Sequence, residues 1–100
     1  MDLSEAKKQA QLATRLLKSI AHEARLMILC DLVEGEKTAG ELQRFSQLSQ
    51  SAFSQHLAVL RQDGLVKARK KGLYVYYSLA NPNAIRLLEV LHEIYCIEIQ

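Results

Sequence analysis

The chain is short of most of the residues that break or bend a backbone. Its 100 residues hold one proline and four glycines. Pro82 reads as the start of an element, and most of the glycines read as element ends or turns. There is no internal repeat, linker or low-complexity tract. No apolar run approaches the roughly 20 residues needed to span a bilayer. The N-terminus, MDLSEAKKQAQ, is polar where a secreted chain needs an apolar stretch. The expectation is a soluble, cytoplasmic protein without a membrane partner. The two cysteines are expected to rest reduced in that compartment unless they are redox-active or bind metal. Excess charge is also lacking. A net charge of +2 says little about nucleic acid, so the distribution of cations matters more. No acid, base and nucleophile converge in the pattern, and neither His56 nor His92 sits in a triad-like arrangement, which argues against an enzyme.

What remains is ordinary for a globular protein: 49% hydrophobic and 24% charged residues. Length gives one domain, residues 1–100, with a core thin enough that a partner chain would help.

The spacing of Ala6, Ala10, Ala13, Leu16, Leu17 and Ile20 predicts a helix over Asp2–Lys18. Its Ala-rich stripe suits close approach of another helix, from its own domain or from a second chain. A second helix runs from His22 to Glu34 and stops at Gly35, with Leu26, Leu29, Cys30 and Val33 on one face. Glu23, Arg25 and Asp31 lie elsewhere around it. Thr38 with Glu41 has capping-box spacing and opens a short helix, Ala39 to Phe45, with Leu42 and Phe45 facing inward. Ser46-Gln47-Leu48-Ser49 is a turn with one buried anchor, Leu48.

The next helix, capped by Ser49 and ending at Gly64, has two unlike faces. Phe53, Leu57 and Leu60 recur at i, i+4, i+7. Around them stand Gln50, Ser51, Ser54, Gln55 and His56. Such low-profile donors and acceptors suit base edges and phosphates. A Ser/Gln-rich surface helix would have the same composition, and His56 suits helix packing as well as a DNA-facing role. A short helix, a tight turn and a polar-faced helix form the helix-turn-helix pattern.

After Gly64 the period falls to two. Leu65–Arg69 and Leu73–Leu79 read as strands linked by Lys70-Lys71-Gly72. Lys67, Arg69, Lys70 and Lys71 cluster at and near the tip. A solvated edge strand also carries lysines. Placed directly after a helix-turn-helix, a basic hairpin reads as a wing whose tip lies along a phosphate backbone. Asn81 caps a last helix, which Pro82 suits at its first turn. Ala84, Leu87, Leu88, Leu91 and Tyr95 line one face of it, and Ile85, Leu88, His92 and Cys96 the adjacent one. It is too apolar for so small a domain to bury alone, which points to a homodimer. Two recognition helices about 34 Å apart would then meet successive major grooves of a near-palindromic operator. The fold expected is mainly α with a small β-hairpin: four helices, two strands and a helix, a winged helix-turn-helix.

The element order and the runs LSQSAFSQHLAVLRQDGLV and KARKKGLYVYYSL resemble the ArsR/SmtB family of bacterial winged-helix repressors over nearly the whole chain. So do HEARLMILCDL, Leu60-Arg61 and Gly64-Leu65-Val66. The resemblance implies a homodimer that binds operator DNA and leaves it when an inducer, often a metal, is sensed. One family metal site would fall near Thr38 and Gly40, which bind no soft metal. Another would start at Asn81, Pro82 and Asn83. No metal or other cofactor is therefore expected, and Cys30 and Cys96 remain. That pairing resembles the subgroup that senses sulfide, persulfide and polysulfide, in which the cysteines join and DNA affinity falls. His92, four residues before Cys96, can lower the pKa of that thiol. The expected DNA-binding set is Ser49, Gln50, Ser51, Ser54, Gln55, His56, Arg61, Arg69, Lys70 and Lys71, with Cys30 and Cys96 as redox sensors. The alternatives are a zinc or copper sensor using Cys30, His92 and Cys96, or a winged helix that docks protein.

Overall fold

The computed structural model describes residues 1–95. Five helices and three strands follow in the order α1 (Leu3–Ile20), α2 (Glu23–Val33), β1 (Lys37–Thr38), α3 (Ala39–Ser46), α4 (Gln50–Gln62), β2 (Val66–Lys71), β3 (Tyr74–Leu79) and α5 (Pro82–Tyr95). Local chemistry sets most of the helix starts. Asp2 Oδ1 accepts from the Glu5 amide at 2.8 Å. Thr38 and Glu41 close a capping box: Thr38 Oγ1 accepts from the Glu41 amide, and Glu41 Oε1 accepts from the Thr38 amide at 2.9 Å. Ser49 Oγ accepts from the Ala52 amide, and Asn81 Oδ1 from those of Asn83 and Ala84.

The turn between α3 and α4 contains no glycine. Gln47 takes the left-handed conformation at φ 58° instead. Side chains hold it there: Ser46 Oγ donates to the Gln43 carbonyl at 2.9 Å and accepts from the Leu48 amide. Leu48 packs half-buried against the core, as its place in the turn predicts.

The sheet has three antiparallel strands in the order β1-β3-β2. β1 is too short to show a period. It pairs Lys37 with Tyr77 and Thr38 with Tyr76. The hairpin is longer than its sequence pattern indicates. Lys70 and Lys71 belong to β2, and Lys71 pairs with Tyr74. The loop is therefore Gly72-Leu73, not Lys70-Lys71-Gly72. Gly72 sits at φ 60° and Leu73 does not share that sign, which makes a type II′ turn with glycine first.

Ile28, Leu29, Leu42, Leu60, Leu65 and Leu88 are the largest fully buried side chains. α2 turns a slightly different face inward than its spacing suggests. Ile28, Leu29 and Leu32 are buried, while Leu26, Cys30 and Val33 pack half-buried at the margin. Asp31, expected off that face, is buried with them. In α3 the inward side runs from Leu42 to Ser46, one residue beyond the expected Phe45, which is 57% exposed. An eight-residue helix tethered by a polar turn buries the turn-closing hydroxyl rather than the larger ring.

α1 stands off the rest of the chain; only Ser19 and Ile20 are buried. Leu12, Leu17, Val90, Ile94 and Tyr95 leave apolar surface open on α1 and α5. Among the described residues no helix is long and apolar enough to cross a membrane.

Candidate nucleic-acid interface

α4 is anchored from below and polar above. Phe53, Leu57 and Leu60 are buried, as the spacing requires. Ser49, Gln50, Ser51, Ser54 and Gln55 are all exposed. Gln50 Nε2 donates to Ser54 Oγ at 3.4 Å, one turn on, so two of these side chains are loosely ordered before any ligand arrives. The Ser49 hydroxyl accepts from the backbone and keeps its own proton to donate.

His56 is half-buried, and its ring packs 4.4 Å from that of His22. Burial above all, then the nearby His22 and Arg25, holds its pKa below the ordinary imidazole value. A neutral ring wedged between α4 and the start of α2 fits the helix-packing role open to it. His22 serves the same corner: its Nδ1 accepts from the Ala24 amide and caps α2.

The wing cations divide by the strand period. Register pairs Lys67 with Ser78, Arg69 with Tyr76 and Lys71 with Tyr74, which places these six on one face. Val66, Ala68 and Lys70 share the other face with Leu79, Tyr77 and Val75. Buried Val66 and Tyr77 mark the second face as the core side. Lys70 thus extends past the edge of the core, and Lys71 points the other way. Both are exposed, and neither forms an ion pair among the described residues. Arg61, at the end of α4, lies 6.0 Å from the centre of the Tyr77 ring.

Arg69 is held differently. Its Nε and Nη2 donate to the two carboxylate oxygens of Glu36, both at 2.7 Å, and its guanidinium lies 5.0 Å over the Tyr76 ring. The hydrogen bond from Arg69 is the main reason the Glu36 carboxyl titrates below its usual range. Glu36 carries no sequence signal: it sits in a Gly-Glu-Lys stretch, 33 residues from its partner. Asp31 is equally unannounced. It accepts from Lys37 Nζ at 2.6 Å and ties α2 to β1.

Cys30 is half-buried on α2 against the core. Cys96 lies outside the described residues, so the expected pairing rests on sequence alone. His92 is half-buried, and its Nδ1 has no hydrogen-bond partner among the described residues. Among the described residues no three His, Cys, Asp or Glu side chains converge.

A family model described as bacterial regulatory protein, arsR family, matches residues 22–68, from the cap of α2 into β2. Over 96% of its length the chain is 48% identical to the transcriptional activator HlyU of Vibrio cholerae, covering 89% of that protein. The chain belongs to the ArsR family. ArsR-family proteins are DNA-binding transcriptional regulators rather than enzymes. The biofilm growth-associated repressor of Agrobacterium fabrum is 42% identical over 94% of this chain and 80% of its own. Among solved ArsR-type structures, reduced HlyU from Vibrio cholerae superposes with a TM-score of 0.90 over 94% of this chain and 99% of that one, at 48% identity. A homodimeric winged helix-turn-helix DNA-binding domain from Mycobacterium bovis superposes with a TM-score of 0.75 at 27% identity, over 99% of this chain and 91% of that one.

Proposed function

We propose that this ArsR-family chain is one DNA-binding domain that dimerises through α1 and α5, occupies a near-palindromic operator, and releases it when Cys30 and Cys96 become linked. One observation carries the DNA half: α4 offers Ser49, Gln50, Ser51, Ser54 and Gln55 to solvent from a helix locked into the core. Arg61, Lys70 and Lys71 flank that face as phosphate contacts, and His56 braces the helix from behind. Open apolar surface on α1 and α5 supports the dimer, and the Mycobacterium bovis neighbour is a homodimer. The activator and the repressor among the relatives describe one physical act, occupation of DNA; its sign depends on what the bound protein displaces. Such a regulator works where the chromosome is, in the cytoplasm.

For sensing, inorganic polysulfide is the co-reactant. The Cys30 thiolate takes up one sulfane sulfur, and the shortened polysulfide leaves. The Cys96 thiolate attacks the inner sulfur of that persulfide, closes the disulfide and expels hydrosulfide. Two thiols and a polysulfide thus give a disulfide, one hydrogen sulfide and a chain shorter by one sulfur. A second sulfane sulfur taken up by Cys96 would let the Cys30 persulfide attack the inner sulfur of the Cys96 persulfide, giving a trisulfide and again expelling hydrosulfide. The likeness to a protein solved in a reduced form supports this reading. The bridge would favour a dimer geometry that no longer fits two grooves. The test is operator binding by reduced protein before and after polysulfide, with intact mass on both samples. Binding should fall about tenfold or more as the mass reports one intramolecular bridge. Loss of binding without a bridge would defeat the switch.

His92 Nδ1, buried without a hydrogen-bond partner among the described residues, favours a second reading, a zinc or copper sensor using Cys30, His92 and Cys96. Stoichiometric metal in protein purified without chelator would establish it.

The Glu36–Arg69 clamp adds a prediction. A guanidinium already filled by a carboxylate releases fewer counterions from DNA than a bare one. Glu36→Gln should free it, raising operator affinity several-fold at about 0.1 M salt and steepening the salt slope by up to about 1 per protomer. An unchanged slope would mean that Arg69 does not face phosphate.

A further inference from the structure

We infer that Ser19, Asp63 and Arg25 form a joint that fixes the direction of α1 relative to α4, and so sets the half-site spacing the dimer accepts; this rests on the dimer reading above. Ser19 is buried in the last turn of α1. Its hydroxyl lies within reach of the Arg15 carbonyl, at 3.2 Å, and of the Asp63 carboxylate. It has one proton to give, and the carboxylate is the stronger acceptor. Asp63 is the C-cap of α4, its amide bonded to the Val59 carbonyl. Arg25, in the first turn of α2, donates from Nε to the Ser19 carbonyl at 2.7 Å and from Nη2 to the Lys18 carbonyl at 3.2 Å. The end of α1 is therefore bound to the end of α4 and the start of α2 at one point.

Two features show that this point is more than incidental packing. A carboxylate at a helix C-terminus has the wrong sign for the helix dipole, so α4 gains nothing from Asp63 by itself. From the joint outward, α1 and the end of α4 part around an open groove of about 730 Å³, which Ser19 and Asp63 themselves line together with Leu12, Ala13, Leu16 and Gln62. Among the described residues, Ile20 and the half-buried Leu16 are the other α1 side chains packed on the core, both near the same end of the helix. An 18-residue helix is about 27 Å long, so a swing of about 10° at the joint moves its far end by roughly 5 Å. That exceeds the roughly 3.4 Å rise of one base pair. If α1 seats the partner chain, looseness here becomes uncertainty in where the second α4 lands.

The test uses duplex DNA enriched from a random library by the wild-type protein. The selected site is compared with versions whose half-sites are moved by single base pairs, and with an isolated half-site. Wild type should prefer the selected spacing by about tenfold. Ser19→Ala and Asp63→Ala should stay dimeric by sedimentation and keep half-site affinity within about twofold, yet lose about fivefold at the selected spacing as the profile flattens. Asp63→Asn keeps an acceptor oxygen and should keep the sharp profile. Removing Asp63 also removes a charge α4 does not favour, so folding of Asp63→Ala is secure. If both alanine variants retain the wild-type profile, or lose half-site binding in equal measure, the joint is overturned. If wild type is monomeric and indifferent to spacing, the dimer reading fails and this inference fails with it.

Discussion

Lys37→Ala is expected to cost the fold about 3 kcal/mol or more, the largest single effect on stability that any charged residue here should show. The reason lies in Asp31 rather than in Lys37. The Asp31 side chain is 4% exposed, and its Oδ2 is buried without a partner among the described residues. Lys37 Nζ, at 2.6 Å from Oδ1, is what that carboxylate has in place of water. Removing the ammonium leaves a buried charge uncompensated. The second bond of Lys37, to Glu34 at 3.3 Å, joins a mostly exposed carboxylate and adds little. Asp31→Asn should cost less, because it removes the charge that needed a partner. The double substitution Asp31→Leu with Lys37→Met should recover most of the loss. Urea unfolding of the four proteins decides it. A loss below about 1 kcal/mol for Lys37→Ala would mean that water reaches Asp31.

The pair also has a pH signature. The hydrogen bond to Asp31, ahead of a smaller opposing effect of burial, raises the Lys37 pKa above its ordinary 10.5. A cation whose pKa is raised by folding contributes stability that is complete below its unfolded value and is lost as pH rises through the folded one. Wild type should therefore lose stability on going above pH 10.5, and the double variant should lack that component. Because Lys37 belongs to β1 and pairs with Tyr77, the same loss loosens the seam between α2 and the wing.

Features legible in the sequence are those whose cause is local. Thr38 with Glu41, Ser49 and Asn81 announce helix starts because each cap is closed within three residues. The buried face of α4 follows from Phe53, Leu57 and Leu60 alone. Alternation reveals the hairpin, though its turn comes later than expected: Lys70 and Lys71 are strand residues only because Tyr74 and Val75 lie opposite them. What was hidden depends on distant partners. Asp31 reads as a surface charge until Lys37 reaches back to it, and Arg69 as a bare cation until Glu36 takes both its nitrogens. β1 is a strand only because β3 passes beside it. Composition leaves His56 between two sides of α4, and the contact that places its ring, 4.4 Å from that of His22, comes from 34 residues away. Apolarity alone points Phe45 inward, whereas the turn chemistry at Ser46 selects which residue of α3 is buried.

Lys70→Ala combined with Lys71→Ala should reduce operator affinity about a thousandfold at roughly 0.1 M salt, the largest effect expected on DNA binding. A dimer loses four cations in this variant, and the salt slope should fall by about 4 if all four meet phosphate. The fold should be unaffected, because both side chains are exposed and neither forms an ion pair among the described residues. The single variants then report geometry. Lys70 lies on the face that carries Val66 and Tyr77, the side of Arg61, and Lys71 lies on the face of Arg69 and Tyr76. A backbone running along the tip would take equal slope from each. A backbone on one side would take nearly all of it from one, and the identity of that lysine says which side of the wing meets DNA. An unchanged slope in the double variant would remove the wing from the interface. The clamp on Arg69 allows a final separation. Glu36→Gln placed in the doubly substituted chain frees one cation per protomer, so it should restore about half of the lost slope if Arg69 is held in reserve on a DNA-facing strand. If Glu36 serves only to fasten the loop before β1 to β2, that slope should stay lost.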